Sequence, residues 1–102
     1  MVFIELPAFT RRLFDLLDDE AFQDLQIYLA TRPDAGRLIR GGKGLRKVRC
    51  AAKACGKRGG ARVIYFWRTA QSQIILARLY AKNEQEDLSA AELKALIREI
   101  GL

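Results

Sequence analysis

Two runs of β-branched and aromatic residues constrain the fold of this chain most strongly. They are Arg62–Arg68 and Gln73–Lys82, and only Thr69-Ala70-Gln71-Ser72 separates them. Residues of these types favour extended backbone, and a connection this short joins strands that lie side by side in opposite directions. The sequence therefore predicts an antiparallel hairpin.

Helices are predicted both before and after this hairpin along the chain. After a short strand at Val2–Ile4, Pro7 is suited to open a helix, which its apolar spacing extends to Leu17. A second helix is predicted from a cap at Asp18 or Asp19 to about Arg32, before Pro33.

The C-terminal helix has a complete start signal. Ser89 is followed three residues later by Glu92, and Leu88 is placed to pack against Leu93. With a further strand at Leu45–Ala52, the order is β-α-α-β-β-β-α. We expect an α+β fold, a small mostly antiparallel sheet with helices packed on one face, formed by residues 1–102 as a single domain.

Charge is separated along the chain. No acidic residue occurs between Ala35 and Asn83, whereas this stretch holds thirteen of the eighteen lysines and arginines. The flanks contain all twelve acids and five bases. A field of one sign attracts polyanions, so RNA is the expected partner.

Strand alternation predicts where these charges lie. If the helices cover the apolar residues of each strand, the opposite face presents basic groups interleaved with aromatics, which suits phosphates and stacked bases. That basic face is expected to consist of Lys47, Arg49, Arg62, Arg78 and Lys82 with Phe66 and Tyr80. Arg46 and the glycine-rich loop 53–60 are expected to add RNA or ribosome contacts, the loop through Lys53, Lys57 and Arg58.

Several kinds of site are disfavoured. The chain has no histidine and only two cysteines, Cys50 and Cys55, so we expect neither a metal site nor another cofactor. The N-terminus lacks the features of a signal peptide, and no apolar stretch approaches the length of a membrane span. We therefore expect a cytoplasmic protein with free thiols.

Any RNA cleavage at the basic face would depend on lysine and arginine, because that segment has neither histidine nor carboxylate. Crowding of like charges lets a lysine exchange protons nearer neutral pH, and arginine stabilises the additional charge on a pentavalent phosphate.

Two segments resemble a known family. The run GLRKVRCAAKACGKRGGARVIYF from Gly44 to Phe66 and the run LYAKNEQEDLSAAE from Leu79 to Glu92 closely resemble the HigB branch of the RelE-type bacterial toxins. The resemblance implies a type II toxin–antitoxin toxin that cleaves mRNA in the ribosomal A site. It also implies a cognate antitoxin, expected to be a helix-turn-helix DNA-binding protein.

Carried over by position, the resemblance assigns catalysis to four residues of the basic face. The implied reaction is attack of the ribose 2′-hydroxyl on the adjacent phosphate, leaving a 2′,3′-cyclic phosphate. Lys47 or Arg49 would assist deprotonation, Arg62 would hold the phosphate, and Lys82 would help the leaving 5′-oxygen. A tyrosine that stacks on the mRNA base in some relatives has no counterpart at Glu86-Asp87-Leu88, although Tyr80 could contribute to that role.

Alternatives remain open from the sequence. The chain could be a gyrase poison of the related ParE branch, which shares the fold without cutting RNA. It could be a nonenzymatic domain that binds RNA or the ribosome. Basic residues on the outer face of a sheet could also serve only to solubilise the protein.

Overall fold

Five strands and three helices account for most of the residues that the computed structural model describes, which are 1–50, 60–82, 84, 85 and 87–102. In chain order the elements are β1 (Val2–Glu5), α1 (Pro7–Leu16), α2 (Asp19–Thr31), β2 (Arg37–Leu38), β3 (Leu45–Arg49), β4 (Ala61–Arg68), β5 (Gln73–Ala81) and α3 (Ala90–Ile100). A single 3₁₀ turn, Thr69–Gln71, connects β4 to β5.

The strands form one sheet in the order β1-β5-β4-β3-β2. The β1–β5 pair is parallel, and the other three pairs are antiparallel. This confirms the α+β class and the predicted hairpin, which closes at Ser72 in the left-handed conformation (φ 51°). The sequence pattern did not predict the two-residue β2, because two residues are too few to show an alternating pattern.

The predicted helix starts are confirmed. The Asp18 carboxylate accepts a hydrogen bond from the Ala21 N–H at 2.7 Å at the start of α2. At α3, Ser89 and Glu92 form both reciprocal bonds of a capping box. Leu88 and Leu93 belong to one hydrophobic cluster, as the staple requires.

The helices lie on opposite faces of the sheet, so the expectation that all of them pack on one face is wrong for α3. Side chains of α1 and α2, such as Phe9 and Leu25, pack with Val63 and Tyr65 of β4. The intervening Ile64 points the other way and packs with Leu96 of α3. The sheet has enough apolar residues on both faces to require a cover on each.

A β-bulge in β5 explains which side chains the simple alternation misplaces. Ile64 pairs with Arg78 but Tyr65 pairs with Leu76, so Ala77 is an extra residue. Beyond the bulge, Leu76 faces α1 and α2, whereas the alternation placed it with Arg78 on the basic face. An inserted residue reverses the face of the sheet toward which each side chain on one side of it points. This reversal explains the error.

The expectation of free thiols is wrong for Cys50. This residue follows β3, is buried and takes part in a disulfide bond. Cys55 lies outside the described residues. The expectation rested on the redox environment of the cell, which does not address the geometry that brings two sulfur atoms together.

Among the described residues, no helix has the length and apolar character needed to cross a bilayer.

We predict that Leu96→Ala lowers the free energy of unfolding by about 2–5 kcal/mol, because Leu96 is fully buried between α3 and the sheet. Urea unfolding followed by circular dichroism measures the change. Lys94→Ala, at an exposed position of the same helix, is the matched control. Equal stability of the two variants would contradict the packing of α3 on this face.

Candidate nucleic-acid interface

Two arginines lie directly opposite each other on the α3-side face of the sheet. Arg49 of β3 is the Cα partner of Arg62 of β4. Because the Cys50 N–H donates to the Ala61 carbonyl at 2.9 Å, the adjacent Arg49–Arg62 pair is of the non-hydrogen-bonded type, in which Cα atoms are only about 4.5 Å apart. Like charges at such positions oppose each other, and an anion bound between them would stabilise both.

Burial distinguishes the two guanidinium groups. Arg49 is exposed, whereas Arg62 is the one charged residue that is buried among those described, at 6% exposure. A buried guanidinium acts in a low dielectric and so attracts an anion more strongly than an exposed one. The Arg49–Arg62 pair thus combines an accessible cation with one held in place by its surroundings.

A second row of basic residues runs across the same face. Lys47 of β3 pairs with Arg37 of β2 on one side and with Ile64 on the other, and Ile64 pairs in turn with Arg78 of β5. Arg37 was missed as a candidate because no strand was predicted there. Lys82 follows the last residue of β5 and is exposed. The structure therefore places Lys47, Arg49, Arg62 and Arg78 on one face, with Lys82 at the end of a strand beside them.

The aromatic residues of this face are less accessible than expected. Tyr80 is only 4% exposed and belongs to the cluster beneath α3, so the expectation that it offers a stacking surface is wrong for the structure as it stands. Phe66 is half-buried against the same cluster, and the Arg68 guanidinium lies 5.9 Å from its ring centre. The cover provided by α3, which strand alternation cannot show, accounts for both positions.

Arg46 lies on the opposite face from Lys47 and Arg49. Its Nη1 donates to the Gly36 carbonyl at 2.8 Å and more weakly to that of Asp34. It therefore supports the connection between α2 and β2. Its expected contact with RNA stays a prediction, as do those of Lys53, Lys57 and Arg58, which lie outside the described residues.

Tyr65 stabilises the same connection from beneath. Its hydroxyl accepts from the Gly36 N–H at 2.8 Å and donates to the Pro33 carbonyl at 2.7 Å. Burial of the phenol raises the pKa of Tyr65 above its ordinary value, so the group stays a neutral donor. A Cβ added at Gly36 would lie 2.8 Å from the tyrosine ring, which explains the glycine there.

Acidic residues near the C-terminus form ion pairs with basic residues elsewhere in the fold. Glu84 accepts from Arg12 at 2.7 Å, Glu99 accepts from Arg78 at 2.9 Å, and Asp87 forms an ion pair with Lys47. The hydrogen bond from Arg12 holds the pKa of Glu84 below its usual value. Charge that is separated along the sequence is thus partly mixed in space, because Asp87 and Glu99 of the C-terminal acidic flank contact basic residues of the sheet face.

A shallow cavity of about 230 Å³ borders the half of β5 that extends beyond β1. Basic and polar side chains from α1, β5, the β5–α3 connection and the start of α3 line it, among them Arg11, Arg12, Arg78, Gln85 and Glu92. Two of its arginines, Arg12 and Arg78, already contact carboxylates.

The family model of the RelE toxin of the RelE/RelB toxin–antitoxin system matches residues 9–101. The match covers nearly the whole chain and includes α2, α3, all of α1 except its first two residues, and every strand except β1. The chain therefore belongs to the RelE toxin family and is a toxin of a toxin–antitoxin system, with a cognate antitoxin as its partner.

We predict that Tyr65→Phe destabilises the protein by about 1–3 kcal/mol, since the buried Gly36 N–H and the Pro33 carbonyl both lose their partner. Thermal and urea unfolding measure the effect. Tyr28→Phe is the control, because Tyr28 is 44% exposed. A stability loss no greater than that of Tyr28→Phe would contradict the role of the Tyr65 hydroxyl.

Proposed function

We propose that this toxin is a ribosome-dependent endoribonuclease of the HigB branch, which cleaves mRNA in the ribosomal A site and thereby inhibits translation. One observation carries the proposal: Lys47, Arg49 and Arg62 lie on the same sheet face, with Arg49 and Arg62 paired directly across two strands. Basic groups fixed on adjacent strands can act together on one phosphate and on the 2′-hydroxyl of the neighbouring ribose.

The proposed reaction is a transesterification at one phosphate of the mRNA. The ribose 2′-oxygen attacks phosphorus as its proton leaves, the bond from phosphorus to the 5′-oxygen breaks, and that oxygen takes up a proton. The products are a 2′,3′-cyclic phosphate and a free 5′-hydroxyl. No water and no oxidant or reductant enters the balance, and the reaction needs only proton transfer and stabilisation of negative charge.

Four residues divide these tasks. Arg62, being buried, holds the scissile phosphate and stabilises the charge that develops on its oxygens. Lys47 or Arg49 assists removal of the 2′-hydroxyl proton from the exposed side of the same face. Lys82, exposed at the end of β5, supplies a proton to the leaving 5′-oxygen.

The partners and location follow from this activity. The toxin acts in the cytoplasm on mRNA held by the ribosome, with rRNA around the A site contacting the surrounding basic residues. Arg46, Arg78 and the basic residues Lys53, Lys57 and Arg58 are proposed to make these contacts, and Phe66 to lie next to a base once RNA is bound. The antitoxin is proposed to be a helix-turn-helix DNA-binding protein.

We predict that Arg49→Ala lowers ribosome-dependent mRNA cleavage by about 100-fold or more, the cost typical of losing one charge-stabilising donor. Cleavage is measured by primer extension of mRNA 5′ ends in a translation extract. Arg62→Lys is a second test, which retains a charge at the buried position. Arg40→Ala is the matched control, because Arg40 is an exposed base of the same acid-free segment. It belongs neither to the Arg49–Arg62 pair nor to the row that contains Lys47.

Three other outcomes would each reject the proposal. Cleavage by Arg49→Ala at the rate of Arg40→Ala would remove the site from the reaction. Inhibited translation with intact mRNA would indicate a nonenzymatic ribosome-binding protein. Intact mRNA together with loss of gyrase supercoiling would indicate a gyrase poison.

A further inference from the structure

An acidic side chain contacts the basic face at one of its proposed catalytic positions. The Asp87 carboxylate forms an ion pair with the Lys47 ammonium, although the two residues lie forty positions apart in the chain. The Lys47 side chain is 22% exposed and that of Asp87 is 72% exposed. The carboxylate therefore approaches Lys47 from the solvent side of the face, which is the side that RNA must approach.

A carboxylate and an RNA phosphate compete for the same donors. Both are oxyanions that accept charge-assisted hydrogen bonds from ammonium groups, and both prefer the same N···O separations. While Asp87 contacts Lys47, its oxygen takes a donor position that a phosphate oxygen would otherwise take. We propose that Asp87 is a built-in competitor of RNA phosphate at Lys47, a self-masking contact that RNA must displace before it can bind there.

The backbone around Asp87 allows this contact to break without unfolding. The Gln85 side chain donates to the Asp87 carbonyl at 3.1 Å, and the capping box of α3 begins two residues later at Ser89. Both anchors hold the main chain rather than the carboxylate. Rotation of one side chain therefore releases Lys47 while α3 stays packed on the sheet.

The competition is weak enough to be overcome and strong enough to measure. Ion pairs with an exposed partner contribute little in water, so a single isolated RNA strand meets a modest barrier at Lys47. The same barrier applies to mRNA held by the ribosome, where the many other phosphate contacts make it a smaller share of the total binding free energy.

The inference rests on the proposed function only in taking RNA as the ligand. It is tested without the ribosome, by fluorescence anisotropy with a labelled single-stranded oligonucleotide carrying 2′-O-methyl groups, which cannot be cleaved by 2′-hydroxyl attack. Asp87→Asn keeps the size of the side chain and removes its charge. It is expected to bind about two- to fivefold more tightly than the wild type, the range given by an exposed ion pair.

Two comparisons separate this contact from a general change in net charge. Asp24→Asn, at an exposed position of α2 on the other side of the sheet, changes net charge equally and is expected to shift affinity by less than about 1.5-fold. In a Lys47→Gln background, Asp87→Asn is expected to have no more effect than Asp24→Asn. Asp87→Glu, which restores the charge, is expected to return affinity toward the wild-type value.

Equal effects of Asp87→Asn and Asp24→Asn would overturn the inference, as would an Asp87→Asn effect that persists without Lys47. Failure of both the wild type and Asp87→Asn to bind the oligonucleotide would overturn it too, because the unmasked site would then lack affinity for phosphate. Failure of the nuclease proposal appears separately, as intact mRNA in the translation extract.

Discussion

The pairing of β3 with β4 is the constraint on which the rest of the site depends. Val48 and Val63 are Cα partners within the core beneath α1 and α2, and their burial fixes the register of the two strands. A slip of β3 by one residue relative to β4 would move Val48 to the other face and bring Lys47 and Arg49 into the core. Apolar packing on one face therefore sets Arg49 opposite Arg62 on the other.

The helix on the α3 side gives this face its particular character. α3 covers the apolar positions Leu45, Ile64 and Ala77, and leaves the basic positions at the margins of the cover. On the same face Arg62 is buried, while its strand partner Arg49 remains exposed. A guanidinium gains electrostatic strength from burial but an anion must still reach the site, and a buried arginine opposite an exposed one meets both conditions.

Local signals in the sequence predicted the local structure well. The Asp18 cap and the Ser89 capping box depend on residues within one helical turn, and the hairpin depends on two adjacent runs. The side of the sheet on which α3 packs depends on contacts with Ile64 and Ala77 far from it in the chain. No pattern within α3 itself contains that information.

The candidate site, too, was predictable where it depends on local strand geometry and not where it depends on distant contacts. Alternation placed Lys47, Arg49 and Arg62 correctly on one face because β3 and β4 are regular along that stretch. It misplaced Leu76 because the bulge at Ala77 interrupts β5. It also could not show that Asp87 forms an ion pair with Lys47, since ion pairs between distant segments depend on the whole fold.

The proposed function requires that the basic residues of this face promote attack by a ribose 2′-hydroxyl. The most direct measurement is cleavage of a defined mRNA on programmed ribosomes, with a single 2′-deoxy nucleotide placed on the 5′ side of the cut. The proposed function predicts that this one substitution abolishes the cut, and that the unmodified mRNA yields a 2′,3′-cyclic phosphate. Cleavage of the 2′-deoxy mRNA at an unchanged rate would contradict it.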